Sequence, residues 1–86
     1  MRVTVRVFAR LRELAGRGEW ACEVPATATV GDVWRAAVKE HPALQGFAGA
    51  VSCAVNAQFA RTSAAVHDGD EVAFLPPVSG GDDRIE

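Results

Sequence analysis

Eighty-six residues limit this chain to one small domain, large enough to fold alone but only marginally stable. Hydrophobic residues make up 49% and charged residues 23%, with a formal charge of -2, which argues against nucleic acid or an anionic membrane as the main partner. The opening Met1-Arg2-Val3-Thr4 has no signal-peptide core and no apolar run approaches membrane-spanning length, so the expected location is the cytoplasm.

Residues 2–8 alternate, with Val3, Val5 and Val7 on one face and Arg2, Thr4 and Arg6 on the other. That period of two, with β-branched residues inside, predicts a half-buried strand. Residues 9–16 follow as about two helical turns, with Leu11 and Leu14 sharing a face and Gly16 suited to the C-terminal cap. Residues 19–24 alternate again, placing Trp20, Cys22 and Val24 inward, and this strand is expected to pair antiparallel with the first.

After a loop at residues 25–28, Thr29 is the expected N-cap of the main helix. Asp32, three residues on, is placed to bond the orphan amides and complement the positive helix end. Val30, Val33, Trp34, Ala37 and Val38 form one apolar stripe, Arg35, Lys39 and Glu40 lie on the wet side, and Pro42 stops the helix. Val51, Cys53 and Val55 form the inward face of a third strand ending in a turn at Asn56-Ala57, and Gln58–Ala60 is a short fourth strand. Residues 61–66 carry no signal. His67-Asp68-Gly69-Asp70 is a turn before the last strand, Glu71–Leu75. Two strands, one main helix and three further strands predict an α+β fold, a sheet of about five strands with the helix packed on one face.

Catalytic groups are sparse. There is no Gly-rich phosphate loop, no nucleophile elbow and no clustered zinc-ligand pattern. Cys22 and Cys53 lack CxxC spacing and are read as reduced thiols that behave as small buried hydrophobes. His41 precedes a proline at a helix end, where a cation suits the dipole, and His67 sits in a turn. The acidic residues at 68, 70, 71, 82 and 83 fall in a turn and a tail, where nothing holds them against one another as an acid and base. The chain is therefore not expected to be an enzyme on its own.

The remaining feature is the C-terminal run. Two prolines fix φ, donate no backbone hydrogen bond and favour an extended arm. Residues 76–81 span up to about 20 Å when fully extended, and a tip of Gly80-Gly81, with no Cβ, fits a passage too narrow for other residues. Pro/Gly/Ser clusters are mostly loops, so composition alone gives this run no function. A domain without a site of its own but with a threadable tip can be acted upon by other proteins, and the only reactive group such a tip offers is a terminal carboxylate.

The run 68–81, an Asp-Gly-Asp turn, a strand, Phe74-Leu75-Pro76-Pro77-Val78-Ser79 and then Gly80-Gly81, resembles the C-terminal signature of the small sulfur-carrier subunit of molybdopterin synthase. Residues 8–16 and Ala54-Val55-Asn56 agree with it, so that the resemblance covers residues 1–81. It implies a ubiquitin-like β-grasp domain over residues 1–75 and an extended arm over 76–81. It also implies a carrier that binds no cofactor or metal itself. A ubiquitin-activator-like enzyme would use ATP to adenylate Gly81, and a sulfur donor would convert it to a thiocarboxylate. The loaded arm would then enter the large synthase subunit and give sulfur to a cyclic pyranopterin. On that resemblance Gly81 and Gly80 carry the chemistry and the passage. Phe74, Leu75, Pro76, Pro77, Val78 and Ser79, with Phe8 and Arg12 from the N-terminal motif, are expected to contact partners; of Phe74 and Leu75, strand alternation turns one inward and leaves the other available.

Residues 82–86, Asp-Asp-Arg-Ile-Glu, follow the glycine pair where the family usually stops. With them in place Gly81 has an amide instead of a carboxylate. Removal by a processing protease is the leading expectation, since an exposed Asp-Asp start suits protease access; a permanent cap, or residues foreign to the natural gene, are the others. The alternatives in function are a carrier for thiamine, cysteine, tRNA thiolation or a tungsten cofactor, and a ubiquitin-like interaction module that is never loaded. The proline pair before the glycines favours molybdopterin, since thiamine carriers look shorter and lack it.

Overall fold

The computed structural model describes residues 1–77; the expected contact residues Val78 and Ser79, the Gly80-Gly81 tip and the extension 82–86 lie outside the described residues. The first alternating run forms β1 (Arg2–Val7), one residue shorter than its pattern, because Phe8 is the extended residue that opens helix α1 (Ala9–Ala15). Gly16 ends α1 in the left-handed conformation at φ 78°, its N–H bonding the carbonyl of Arg12, which glycine adopts without a Cβ penalty. The chain returns as β2 (Glu19–Glu23), antiparallel to β1 with Val3 opposite Cys22 and Val5 opposite Trp20.

Helix α2 (Val30–Glu40) starts with the expected reciprocal cap: the Asp32 amide donates to Thr29 Oγ1, and the Thr29 amide donates 2.9 Å to Asp32 Oδ2. Its next two orphan amides are met by the segment without a sequence signal. Val30 donates to the Ala64 carbonyl at 2.9 Å and Gly31 to the Thr62 carbonyl at 2.8 Å. A Cβ at position 31 would sit 3.3 Å from that Thr62 oxygen, so glycine permits the approach. The same docking buries Val66, which belongs to the core. Pro42 does not simply end the helical region: after the C-cap His41 it opens a 3-10 turn, Pro42–Phe47, whose Leu44 is fully buried. Sequence periodicity misses it because so short a turn has room for one inward residue.

Strands β3 (Ser52–Val55) and β4 (Gln58–Ala60) form a hairpin through Asn56-Ala57, both at positive φ, the twist that two-residue hairpins require. Strand β5 (Glu71–Leu75) completes a mixed sheet of order β2-β1-β5-β3-β4, parallel to β1 and antiparallel to β3. The valines of β1, Val72 and Phe74 of β5, Leu11 of α1 and Val33, Trp34 and Ala37 of α2 share one core, where each large side chain contributes about 1.5–3 kcal/mol. No buried polar or charged residue interrupts it among the described residues. Cys53 is buried and Cys22 half-buried; burial first, and for Cys22 the nearby Glu40 and Glu23, push both thiols above their ordinary range.

Turn chemistry fixes where β5 begins. Asp70 takes a hydrogen bond from the Asn56 side-chain amide at 3.0 Å and one from the His67 amide at 2.8 Å, while Asn56 Oδ1 accepts from the Glu71 amide. These donors hold the Asp70 carboxyl below the usual range, the Asn56 bond being the largest cause. The Thr29 amide and then Arg35 do the same for Asp32.

Two expectations follow. Trp34→Ala opens the core beneath α2 and should cost about 3–5 kcal/mol in urea unfolding, much of the stability of so small a domain. Asp32 and Asp70, depressed in the folded chain, contribute stability that is fully present above the unfolded value of about 3.9 and is lost as pH falls through the folded values. Thermal midpoints should therefore drop on the acid side of about pH 4, and Asp70→Asn should flatten that drop. An unchanged acid slope in the variant would show that the Asp70 bonds contribute nothing.

Candidate functional site

The described chain ends by leaving the middle of the sheet. Strand β5 is hydrogen-bonded on both sides, with Val7 beside Phe74 and Leu75 opposite Ser52. Pro76 and Pro77 follow at once and cannot donate to either neighbour, so the ladder stops where the arm starts. Strand alternation decides the two residues before the prolines. Phe74 is 0% exposed, its ring 5.0 Å from that of Trp34. That corrects its assignment to partner contact: it anchors the strand from below. Leu75 is half-buried on the opposite face, Pro76 half-buried and Pro77 exposed.

The face that Leu75 shares carries no helix. Register lays one row across it, Glu19, Arg6, Ala73, Ala54 and Phe59. Two alanines make the centre flat and apolar. Phe59 on the edge strand is 82% exposed, the one large hydrophobic left in the open among the described residues. Toward the other edge Arg6 bonds Glu71 at 2.9 Å, lies 3.5 Å from Glu19 and holds its guanidinium 5.2 Å from the centre of the Phe8 ring. Glu71, then Glu19, raise the Arg6 pKa, but these groups are well exposed and such pairs stabilise a fold little.

Phe8 and Arg12 are brought together. They line one pocket of about 290 Å³ with Arg6, Val7, Gly18 and Glu19, at the end of β1 that lies beside the end of β5. Phe8 is half-buried under Arg6, not in the core, and Arg12 is exposed with the guanidinium end of its side chain beside Gly18. Ala9 between them has φ 52°, a left-handed conformation that alanine adopts only at some cost. Phe59 was not among the residues picked from sequence, yet a signal for it existed. A two-residue turn at Asn56-Ala57 sets Phe59 opposite Ala54, on the face away from Cys53 and Val55.

The described residues thus present a partly apolar sheet face with ion pairs at one edge, and a chain that leaves the sheet's centre through two prolines. No cluster that could hold a metal is present among the described residues, and no helix there is long and apolar enough to cross a membrane.

Comparison with known proteins agrees. The model of the ThiS family matches residues 5–81, and the chain belongs to that family. A molybdopterin synthase sulfur carrier subunit from Chlamydomonas reinhardtii is 37% identical over 83 residues, covering 94% of this chain and 100% of the relative. The small archaeal modifier protein 1 of Haloferax volcanii is 39% identical over 84 residues, 88% of this chain and 97% of the relative. The crystal structure of SAMP1 from that organism superposes with a TM-score of 0.86 at 35% identity, over 94% of this chain and 100% of that one. A chain in the complex of subunits 1 and 2 of a molybdopterin-converting factor from Helicobacter pylori superposes at 0.67 with 26% identity, over 94% and 100%. The fold is the ubiquitin-like β-grasp of these proteins.

Because Phe59 packs on so little, Phe59→Asp should leave the unfolding free energy from urea denaturation within about 0.5 kcal/mol of the parent. A larger loss would place the ring in the fold's own packing instead of on an open face.

Proposed function

We propose that the chain is a sulfur carrier acting as the small, non-catalytic subunit of a molybdopterin synthase. The observation that carries this reading is the launch of the Pro-Pro arm from the centre of a helix-free sheet face. That face supplies a docking plane around the point from which residues 76–81 reach into a partner. The family and the sulfur-carrier relatives support the chemistry, and the Helicobacter pylori complex supports a partner subunit.

In this mechanism a processing protease first removes residues 82–86, freeing the Gly81 carboxylate. An adenylating enzyme related to the ubiquitin activators joins that carboxylate to AMP from ATP. The terminal sulfur of a persulfide donor attacks the Gly81 carbonyl and displaces AMP, and a thiol then cleaves the resulting acyl disulfide, leaving a Gly81 thiocarboxylate and a disulfide between that thiol and the donor. The arm then enters the large subunit, where Gly80 passes the narrow point and the thiocarboxylate gives its sulfur to a cyclic pyranopterin. Acid-base groups for the transfer come from that subunit. This chain contributes position: Leu75, Pro76, Pro77, Val78 and Ser79 set the reach of the tip, and Phe8, Arg12 and Phe59 hold the sheet face against the partner. Buried Phe74 keeps the launching strand in register.

The presence of residues 82–86 favours one second reading, a ubiquitin-like interaction module whose glycine is never loaded. Intact mass of the chain purified from its own cells under non-reducing conditions separates the two. A mass ending at Gly81, with oxygen replaced by sulfur in part of the molecules, is the expected result; a mass ending at Glu86 in every molecule would overturn the carrier reading. Gly81→Ala should abolish loading while leaving the melting temperature unchanged, since the core closes at Phe74. Phe59→Asp should weaken binding to the large subunit at least tenfold, as an apolar anchor worth more than about 1.4 kcal/mol would.

A further inference from the structure

Both edges of the five-stranded sheet are open among the described residues, β2 on one side and β4 on the other. Backbone direction decides what each edge offers, since successive residues of a strand turn N–H and C=O to opposite sides. The Asn56 amide donates 2.8 Å to the Glu71 carbonyl of β5. Ala54 and Asn56 therefore turn their backbone groups to β5, while Cys53 and Val55 turn theirs to Ala60 and Gln58 of β4. Phe59, opposite Ala54, is left with its N–H and C=O pointing outward, and no described element pairs with that side of β4. Its ring, 82% exposed, stands at the same place on the helix-free face.

Charge separates the two edges. On β2 the Val24 amide donates to the Met1 carbonyl at 2.9 Å and the Gly18 carbonyl accepts from Val7 at 3.0 Å, so Glu19, Ala21 and Glu23 turn their backbone groups outward. Two copies joined antiparallel about Ala21 would set Glu19 of each opposite Glu23 of the other. Like charges directly opposed destabilise a strand pair, and such charges guard an exposed edge. Strand β4, Gln58-Phe59-Ala60, carries no charge. Two copies joined antiparallel about Phe59 set Gln58 against Ala60 and Phe59 against itself, so this edge is complementary to its own copy.

We propose that β4 is a self-association edge, through which two copies of the chain pair antiparallel about a two-fold axis at Phe59. The Phe59 N–H of each copy donates to the Phe59 carbonyl of the other. The two rings then lie side by side on one face, an aromatic cross-strand pair that adds to the hydrogen bonds. The contact is isologous, so it closes at two copies. It is much smaller than the about 1,200 Å² at which stable interfaces begin, which makes the dimer weak and reversible. The two helix-free faces become one plane, and the opposed β5 strands send their proline pairs off it in opposite directions. None of this depends on what Gly81 carries.

The test uses the full chain, followed from micromolar to millimolar concentration by sedimentation equilibrium and by amide hydrogen exchange. The expected result is a monomer–dimer equilibrium in which exchange at the Phe59 amide slows about twofold where half of the chains are paired. The outward Ala21 amide, on the other edge, should exchange at an unchanged rate. Phe59→Asp sets like charges against each other at the two-fold axis and should abolish the dimer. A monomer at every concentration, a dimer whose Phe59 amide stays unprotected, a dimer that survives Phe59→Asp, or species growing past two copies would each overturn the proposal. Protection of the Phe59 amide only after another protein is added would give the edge to that partner and overturn self-pairing as well.

Discussion

The contact on which the structure depends is that of Phe74 with Trp34. It joins the central strand to the main helix, with ring centres 5.0 Å apart. Strand β5 is the last to be made and lies between β1 and β3, so its inward residues must fill the space that the other strands and α2 leave. Phe74 fills it completely, and its burial fixes the register by which Leu75 faces outward and Pro76 ends the ladder. A slip of one residue would exchange the two faces, burying Leu75 in place of the ring and re-aiming the arm.

The chain thus separates its tasks by face. One side of the sheet is an apolar core without a buried charge among the described residues; the other is a plane with Ala54 and Ala73 at its centre, Phe59 at one edge and ion pairs at the other. The ion pairs around Arg6 stabilise the fold little, but they hold a guanidinium over Phe8 and shape the corner toward Arg12. The surface is arranged within the fold itself, and Pro76 and Pro77 leave the sheet at its centre.

The loop segments matter as much as the regular elements. Residues 61–66 bond the first amides of α2 and bury Val66, while Asn56 and Asp70 tie the hairpin turn to the start of β5. Backbone carbonyls of a segment without local preference thereby position the helix, and turn side chains position the launching strand. Ala9, Asn56 and Ala57 at positive φ mark where the chain turns sharply between elements; the hairpin twist accounts for the last two.

Local pattern by itself determined the first strand, read one residue longer than Arg2–Val7, the last strand after its turn, the capped helix from Thr29, the Gly16 cap and the inward valines, because each is a matter of spacing, turn chemistry and capping. The glycine tip and proline pair were legible for the same reason, as local chemistry. Tertiary structure alone decided what depends on residues far apart in the chain. The parallel pairing of β1 with β5 brings Phe8 and Arg12 beside the exit of the arm. The packing of Trp34 turns Phe74 inward and Leu75 outward. The docking of residues 61–66 on α2 makes a core residue of Val66. Leu44 lay hidden in a 3-10 turn too short to show a period. Local sequence sets which face of an element is apolar; only burial against other elements sets which face is left for a partner.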